Sequence, residues 1–181
     1  ICGIILSSFI VGCTKTAEYD VVKIPKSDSD ASSDAAVVQE EQEMEAEVTP
    51  AVFKVGDPAP TFADLIGVDD QKHSLDEFKD AKAIAVVFTC NKCPVAVMYE
   101  DRLNQYQKDY ADKGVQVVAI NVNNAEADKL PAMKVRAEEK GFAFPYLYDE
   151  SQKSAREYNA EVTPHVFLLD SERKLVFKGP I

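Results

Sequence analysis

The stretch Ala83–Thr89 reads AIAVVFT, seven residues without a charge and rich in β-branched side chains. Such a run predicts a strand that is buried on both faces, as in the centre of a parallel sheet. A second run of this kind, Val115–Asn121 (VQVVAIN), follows a segment with helical periodicity that begins at Pro94 and ends near Ala111. Strand, helix and strand in this order predict a parallel βαβ unit.

Shorter signals complete the domain. We expect further strands and helices, in chain order, at 62–66, 71–73, 75–78, 131–140, 144–148, 152–158, 166–169 and 175–178. The segment 144–148 is expected at an edge of the sheet, and the last two strands are expected to form an antiparallel hairpin. The prediction is an α/β domain whose mixed central sheet carries helices on both faces. Its closing C-terminal helix is expected beyond the last residue given.

The helix that begins at Pro94 has apolar residues at spacings of three and four. These residues are Val95, Tyr99, Leu103, Tyr106 and Tyr110. Because such a spacing places side chains on one side of a helix, we expect this face to turn toward the sheet.

Cys90 and Cys93 stand between the first buried strand and this helix, as Cys90-Asn91-Lys92-Cys93. Two intervening residues in a first helical turn bring two sulfurs within bonding reach, and a helix N-terminus favours thiolates. We expect Cys90 to be the more exposed thiol and to attack, and Cys93 to lie covered in the helix and to resolve. The charge of Lys92 is expected to lower the pKa of Cys90 further.

A buried strand that runs into C-x-x-C at the start of a helix resembles the thioredoxin superfamily. The segments VGDPAPTF (Val55–Phe62) and VTPHVFLLD (Val162–Asp170) resemble its redoxin branch, which includes peroxiredoxins and membrane-attached thioredoxins. The resemblance covers residues 53–178 and implies a thioredoxin-like fold. It also implies that the Thr163–Pro164 bond is cis and faces Cys90.

Two departures from the superfamily pattern are visible. Thr89 stands where a Trp usually precedes the first cysteine, and the first buried strand contains no acidic residue. Many thioredoxins bury a carboxylate there to deprotonate the resolving cysteine. Glu100, a water molecule or no group at all could serve that role in this chain.

The function that the resemblance implies is thiol–disulfide oxidoreduction by a Cys90/Cys93 dithiol, with no cofactor and no metal. Its partners would be protein disulfides or dithiols, including a membrane redox protein. One alternative is a peroxiredoxin-like peroxidase with antioxidant activity. Cys93-Pro94 fits the reactive cysteine of that class, but Cys90 occupies the place of its Thr. An activating arginine is not identifiable among Arg102, Arg136 and Arg156.

A copper-binding assembly factor is a less favoured alternative, in which Cys90, Cys93 and His165 would be the ligands. A hydrogen-bonded histidine at the start of a strand is the more common role for a residue placed like His165. His73 is expected to be a surface turn residue. A zinc site is disfavoured because these two histidines are the only further His or Cys ligands in the domain.

The first thirteen residues, ICGIILSSFIVGC, carry no charge. They are too few to span a bilayer, which takes about 20 apolar residues, but they fit the apolar core of a secretory signal. Their end, Ile10–Cys13, resembles the lipobox of bacterial lipoproteins, which implies lipid attachment at Cys13. The sequence lacks an initiator Met and a basic n-region, so an incomplete N-terminus is expected.

Residues 14–50 contain three lysines and ten acidic residues, a net charge of 3 − 10 = −7. Their Ser-rich, acidic composition predicts a disordered tether, and residues 51–181 form the domain. No basic cluster suggests nucleic acid as a partner. Together these features predict an extracytoplasmic, lipid-anchored protein that faces the periplasm or the cell exterior.

Overall fold

The structure, a computed structural model, describes residues 52–181. The expected signal segment (1–13) with its Cys13, and the expected acidic tether (14–50), lie outside the described residues. Among the helices of residues 52–181, none has both the length and the apolar character needed to cross a membrane.

The described chain contains seven strands and three α-helices. In order they are β1 Leu65–Gly67, β2 Lys72–His73, β3 Ala83–Thr89, α1 Pro94–Tyr110, β4 Val115–Asn121, α2 Leu130–Lys140, β5 Tyr146–Tyr148, α3 Lys153–Tyr158, β6 His165–Leu169 and β7 Leu175–Pro180. Single 3-10 turns lie at Leu75–Phe78, Ala111–Lys113 and Glu126–Asp128. The two long strands have the bounds that their apolar runs predict, and α1 begins at the predicted proline.

The strands form one mixed sheet in the order β2-β1-β5-β4-β3-β6-β7. β3 pairs in parallel with β4 over its whole length, from Ala83 opposite Val115 to Thr89 opposite Asn121. On its other side β3 pairs antiparallel with β6, which forms the predicted hairpin with β7. The α/β prediction with a mixed central sheet is confirmed.

The prediction that segment 144–148 lies at an edge of the sheet is wrong. β5 lies between β4 and β1, parallel to the first and antiparallel to the second. Tyr146 and Leu147 are both buried, which is the burial expected of an interior strand. The short β1–β2 hairpin adds outside β5 and takes the edge position, a long-range pairing that the local pattern does not reveal.

Side chains of β3 alternate between two cores. Ile84, Val86 and Phe88 pack on one face with aromatic residues and with α3, whereas Ala85 and Val87 pack on the other with Met133 of α2 and Leu103 of α1. Both faces of the strand are therefore buried, and helices cover the sheet on both sides, as predicted.

Of the predicted apolar face of α1, Leu103 packs in the core, but most of the face does not turn toward the sheet. Val95, Tyr106 and Tyr110 are exposed. The buried residues of the helix are Ala96, Glu100, Asn104 and Gln107. This stripe can be buried because its polar groups find partners. Asn104 bonds to the backbone of residues 140, 141 and 143, and Gln107 accepts the N–H of Val117.

Candidate active site

The cysteine pair lies at the carboxyl end of β3. Cys90 follows the strand directly, Asn91 and Lys92 form a bend, and Cys93 is the N-cap residue of α1. Pro94 begins the helix because its missing N–H would have no intrahelical partner at that position. The two intervening residues thus lie in a loop before the helix, and the expectation that they belong to its first turn is wrong.

The two cysteines are free thiols, and both contact Thr163 in the loop before β6. The Cys93 thiol donates to the carbonyl oxygen of Thr163 at 3.2 Å, and Cys90 Sγ lies 3.7 Å from Thr163 Oγ1. A hydrogen bond with the Cys90 side chain also contributes to lowering the pKa of Cys93. The Thr163–Pro164 bond is cis, as the resemblance implies.

The order of exposure is the reverse of the one expected from the sequence. Cys90 is 6% exposed and therefore buried, whereas Cys93 is partly exposed. The reason is the position of the helix start. Because α1 begins at Pro94, Cys93 caps the helix at the surface, while Cys90 is still covered by the structure around the end of β3.

Thiolate stabilisation is likewise found at Cys93. The backbone N–H of Ala96 is the largest cause that lowers its pKa, and Thr163 and the N–H of Val95 act in the same direction against the opposing effect of burial. The N–H groups of Val95 and Ala96 are free donors at the helix N-terminus, and such donors stabilise an anion placed at the cap. Lys92 is exposed, and its expected effect on Cys90 stays a prediction.

A buried polar cluster lies beside the cysteine loop, and the sequence reasoning missed it. We call Asn91, Asn121, Asp128 and Tyr146 the loop anchor. Asp128 Oδ1 accepts the backbone N–H of Asn91 at 2.6 Å, and the Tyr146 hydroxyl donates to Asn91 Oδ1 at 2.9 Å. Asn121 Nδ2 donates to the Asp128 carbonyl oxygen and to the Tyr146 hydroxyl, at 3.0 and 3.2 Å.

A signal for this cluster was present in the sequence. The segment Asn121–Asp128 (NVNNAEAD) is polar and directly follows a buried strand. Since β3 and β4 are parallel neighbours, the loops that follow them leave the sheet at the same edge. Polar residues after β4 are therefore placed beside Cys90 and Asn91. Burial also raises the pKa of Tyr146, which keeps its hydroxyl a donor.

Glu100, one of the groups left open as a proton acceptor, is committed elsewhere. Its carboxylate receives two hydrogen bonds from Arg136, at 2.8 and 2.7 Å, and lies 3.6 Å from Lys140 Nζ. The same pairing engages Arg136, one of the three candidate activating arginines. Arg102 lies over the Tyr99 ring, and Arg156 donates to a backbone carbonyl of residue 151.

The surroundings of the two histidines shift their pKa values in opposite directions. His165 is buried beside Phe167, its Nδ1 accepts the N–H of Glu161, and burial lowers its pKa. The hydrogen-bonded role at the start of a strand is therefore observed.

Within residues 52–181 no three His, Cys, Asp or Glu residues form a metal-binding group, so the copper set with Cys90 and Cys93 is not assembled.

His73 is buried, and the prediction of a surface turn residue is wrong. Its ring lies between Glu77, at 2.8 Å, and Asp69, at 3.1 Å. Burial opposes its charge, but the hydrogen bonds to these two carboxylates outweigh that effect and raise its pKa. The residue joins β2 to the adjacent turns, at a site apart from the cysteines.

A mixed sheet with a C-x-x-C loop between β3 and α1, and a cis-proline before β6, defines a thioredoxin-like protein. A family model described as Redoxin matches residues 54–180, and the chain belongs to the redoxin family. The predicted superfamily and branch are thereby confirmed.

Three proteins illustrate what this chain is similar to. An uncharacterized conserved protein from Geobacillus kaustophilus is 41% identical with a TM-score of 0.68, over 71% of this chain and 70% of that one. Thiol-disulfide oxidoreductase ResA of Bacillus thuringiensis is 27% identical over 129 residues, 68% of each chain. A structure assigned as thiol:disulfide interchange protein DsbE from Chlorobium tepidum is 26% identical with a TM-score of 0.62. The match covers 71% of this chain and 86% of that chain.

Proposed function

We propose that this chain is an extracytoplasmic thiol–disulfide oxidoreductase whose redox centre is the Cys90/Cys93 pair. One observation carries the proposal: two free thiols both contact Thr163, next to a cis-proline, at the N-terminus of a helix. A disulfide-exchange centre needs a stabilised thiolate and a second thiol within reach, and this site provides both. The names of the ResA and DsbE relatives support the same activity.

The reaction transfers two electrons from the protein dithiol to a partner disulfide. A protein thiolate attacks one partner sulfur, which forms a mixed disulfide and releases the other partner sulfur as a thiolate. The second cysteine, after losing its proton, attacks the protein sulfur of that mixed disulfide. The Cys90–Cys93 bond then forms and the partner leaves with both of its sulfurs reduced. The reverse sequence oxidises a partner dithiol.

The geometry favours Cys93 for the first attack, which reverses the order expected from the sequence. Its sulfur is the more exposed of the two, and the helix N-terminus lowers its pKa. A buried Cys90 is suited to the second step, because the resolving thiol meets a sulfur that is already bonded to the protein. Thr163 contacts both sulfurs and can orient them in each step.

Single serine variants test this assignment. Cys90→Ser should accumulate mixed disulfides with protein substrates on non-reducing gels, whereas Cys93→Ser should trap almost none. Both variants should lose the reduction of insulin disulfides, and the double variant is the control for non-specific trapping. If Cys93→Ser traps and Cys90→Ser does not, the first attack belongs to Cys90. If both single variants still reduce insulin, the redox centre lies elsewhere.

Peroxidase activity is a second candidate because Cys93 is accessible, has a lowered pKa and precedes Pro94. An activating arginine at the thiol is the missing part, since Arg136 is paired with Glu100. We therefore expect disulfide reduction to exceed hydrogen peroxide turnover in the same preparation. A peroxide rate far above that of a free small thiol, with negligible insulin reduction, would place the peroxidase first.

The proposed location depends on residues 1–50. Their uncharged run, the lipobox-like end at Cys13 and the acidic segment that follows support a lipid-anchored protein outside the cytoplasm. In the full-length gene product, Cys13→Ala should move the protein from the membrane fraction to the soluble fraction. A wild-type protein found in the cytoplasm would contradict the proposed location and leave the redox centre unaffected.

A further inference from the structure

The loop anchor contains a buried carboxyl group that the exchange mechanism does not use. Asp128 is 0% exposed. Both side-chain oxygens accept hydrogen bonds, Oδ1 from the Asn91 backbone N–H and Oδ2 from Asn123 Nδ2 at 2.8 Å. No ion pair within residues 52–181 involves it. Burying a carboxyl group is costly unless its oxygens are bonded, so this placement calls for a physical reason.

Asn91 is the residue on which these bonds converge. Its backbone N–H donates to Asp128, its Nδ2 donates to the carbonyl oxygen of Ala127 at 2.9 Å, and its Oδ1 accepts from Tyr146. Asn91 is itself buried, whereas Lys92 is exposed. Asn91, the first residue between the cysteines, is thus held by three hydrogen bonds, whereas Lys92, the second, faces solvent.

We propose that Asp128 is a positioning residue for the Cys90/Cys93 pair. Through Asn91 it fixes the loop so that the two sulfurs stay within bonding reach, and it accelerates the step in which they bond to each other. The inference rests on the proposed function. It assigns a role to Asp128 that neither the cysteine motif nor the contacts of the sulfurs reveal.

Disulfide closure depends strongly on geometry, which is why a fixed loop matters. Two cysteines bond only within a narrow range of Cβ separation and torsion angle. A loop that samples many shapes spends little time in that range, and misplacement by about 1 Å can slow a reaction a hundredfold. Asp128 Oδ1 accepts the Asn91 backbone N–H at 2.6 Å, and this bond ties the cysteine loop to the segment that follows β4.

The test uses a symmetrical aromatic disulfide that releases a coloured thiolate, 5,5′-dithiobis(2-nitrobenzoic acid). The attacking cysteine releases the first coloured thiolate and forms a mixed disulfide. The second cysteine then forms the Cys90–Cys93 bond and releases the second thiolate, so the protein loses two electrons and the probe gains two. The two releases are followed as separate phases under single-turnover conditions.

Asp128→Ala should slow the second release by at least about tenfold while the first changes by less than about threefold. The double variant Asp128→Asn with Asn123→Asp exchanges the polarity of the pair and keeps both bonds, so its second release should stay within about threefold of wild type. Glu126→Ala, which alters an exposed residue on the same 3-10 turn, is the control and should leave both phases unchanged.

A merely structural role would give a different pattern. If Asp128→Ala lowers the melting temperature but leaves the second release at the wild-type rate, the inference is wrong. If Asp128→Ala does not fold, Tyr146→Phe, which removes only the hydroxyl bonded to Asn91, should slow the second release by about threefold, and an unchanged rate overturns the inference. A wild-type protein that never forms the Cys90–Cys93 bond contradicts the proposed function instead.

Discussion

Both faces of the central sheet have an apolar core, but the two cores differ in composition. The face covered by α3 is filled with aromatic rings, in which Phe53, Phe88, Tyr158 and Phe167 contact one another at 5.3 to 6.1 Å between ring centroids. The face covered by α1 and α2 buries polar side chains whose hydrogen bonds are satisfied, among them Asn104. The comparison teaches that the hydrophobicity of side chains alone does not predict which residues of a helix are buried.

The difference between the faces also bears on function. The loop anchor belongs to the polar side, since Tyr146 packs in the core beneath α1 and α2. A site that must hold a loop in one shape benefits from directional hydrogen bonds, whereas an aromatic core contributes mainly non-directional burial. Three comparisons of variants separate these contributions.

The largest effect is expected on the aromatic face. Phe167→Ala removes a fully buried ring that contacts three other aromatic rings and His165, and should lower the free energy of unfolding by about 3–5 kcal/mol. Phe177→Ala, on the same hairpin but half exposed, is the matched control and should cost much less. Urea denaturation measures both. Equal losses in the two variants would mean that this core is not the main source of stability.

An intermediate effect is expected on the polar face. Asn104→Ala removes the side-chain bonds to the backbone at residues 141 and 143 and leaves those groups without their partner. The expected loss is about 1–3 kcal/mol in the free energy of unfolding. Gln105→Ala changes the exposed neighbour on α1 and should stay within about 0.5 kcal/mol of wild type. If the two variants lose the same amount, the buried polar stripe adds nothing to stability.

The smallest expected effects are those of removing one tyrosine hydroxyl from each face. These two substitutions should change the free energy of unfolding in opposite directions. The Tyr158 hydroxyl is buried without a hydrogen-bond partner in residues 52–181, so Tyr158→Phe should raise the free energy of unfolding by about 1 kcal/mol. Tyr146→Phe removes a hydroxyl that bonds to Asn91 and Asn121, and should lower it by about 1 kcal/mol. Losses of similar size in both variants, by thermal or urea unfolding, would contradict the contrast between the faces.

Much of the fold follows from local patterns in the sequence. The apolar runs of β3 and β4 define strands because both faces of a parallel strand are buried, so their signal does not depend on which residues they meet. Pro94 marks the start of α1 because proline lacks the N–H that a later helical position needs. The C-x-x-C motif between a strand and a helix identifies the thioredoxin superfamily, and the segments VGDPAPTF and VTPHVFLLD identify its redoxin branch, because each is a short local pattern.

Tertiary structure decided the rest. The inward face of α1 could not be read from hydrophobicity, because Glu100 and Asn104 are buried through partners that come from α2 and the segment after it. The position of β5 depended on where the β1–β2 hairpin adds to the sheet. Long-range partners of this kind leave little trace in a local pattern.

The candidate active site shows the same division between local patterns and tertiary structure. The sequence by itself determined that Cys90 and Cys93 lie together between a buried strand and a helix, because their spacing and flanking patterns are local. Which thiol is exposed depended on the helix start at Pro94, which makes Cys93 the N-cap residue. Which group bonds to the cysteine loop depended on Asp128, which reaches Asn91 from the loop after the neighbouring parallel strand. The exposure and the hydrogen bonds of a residue depend on neighbours that are distant in the sequence, so only the tertiary structure could decide them.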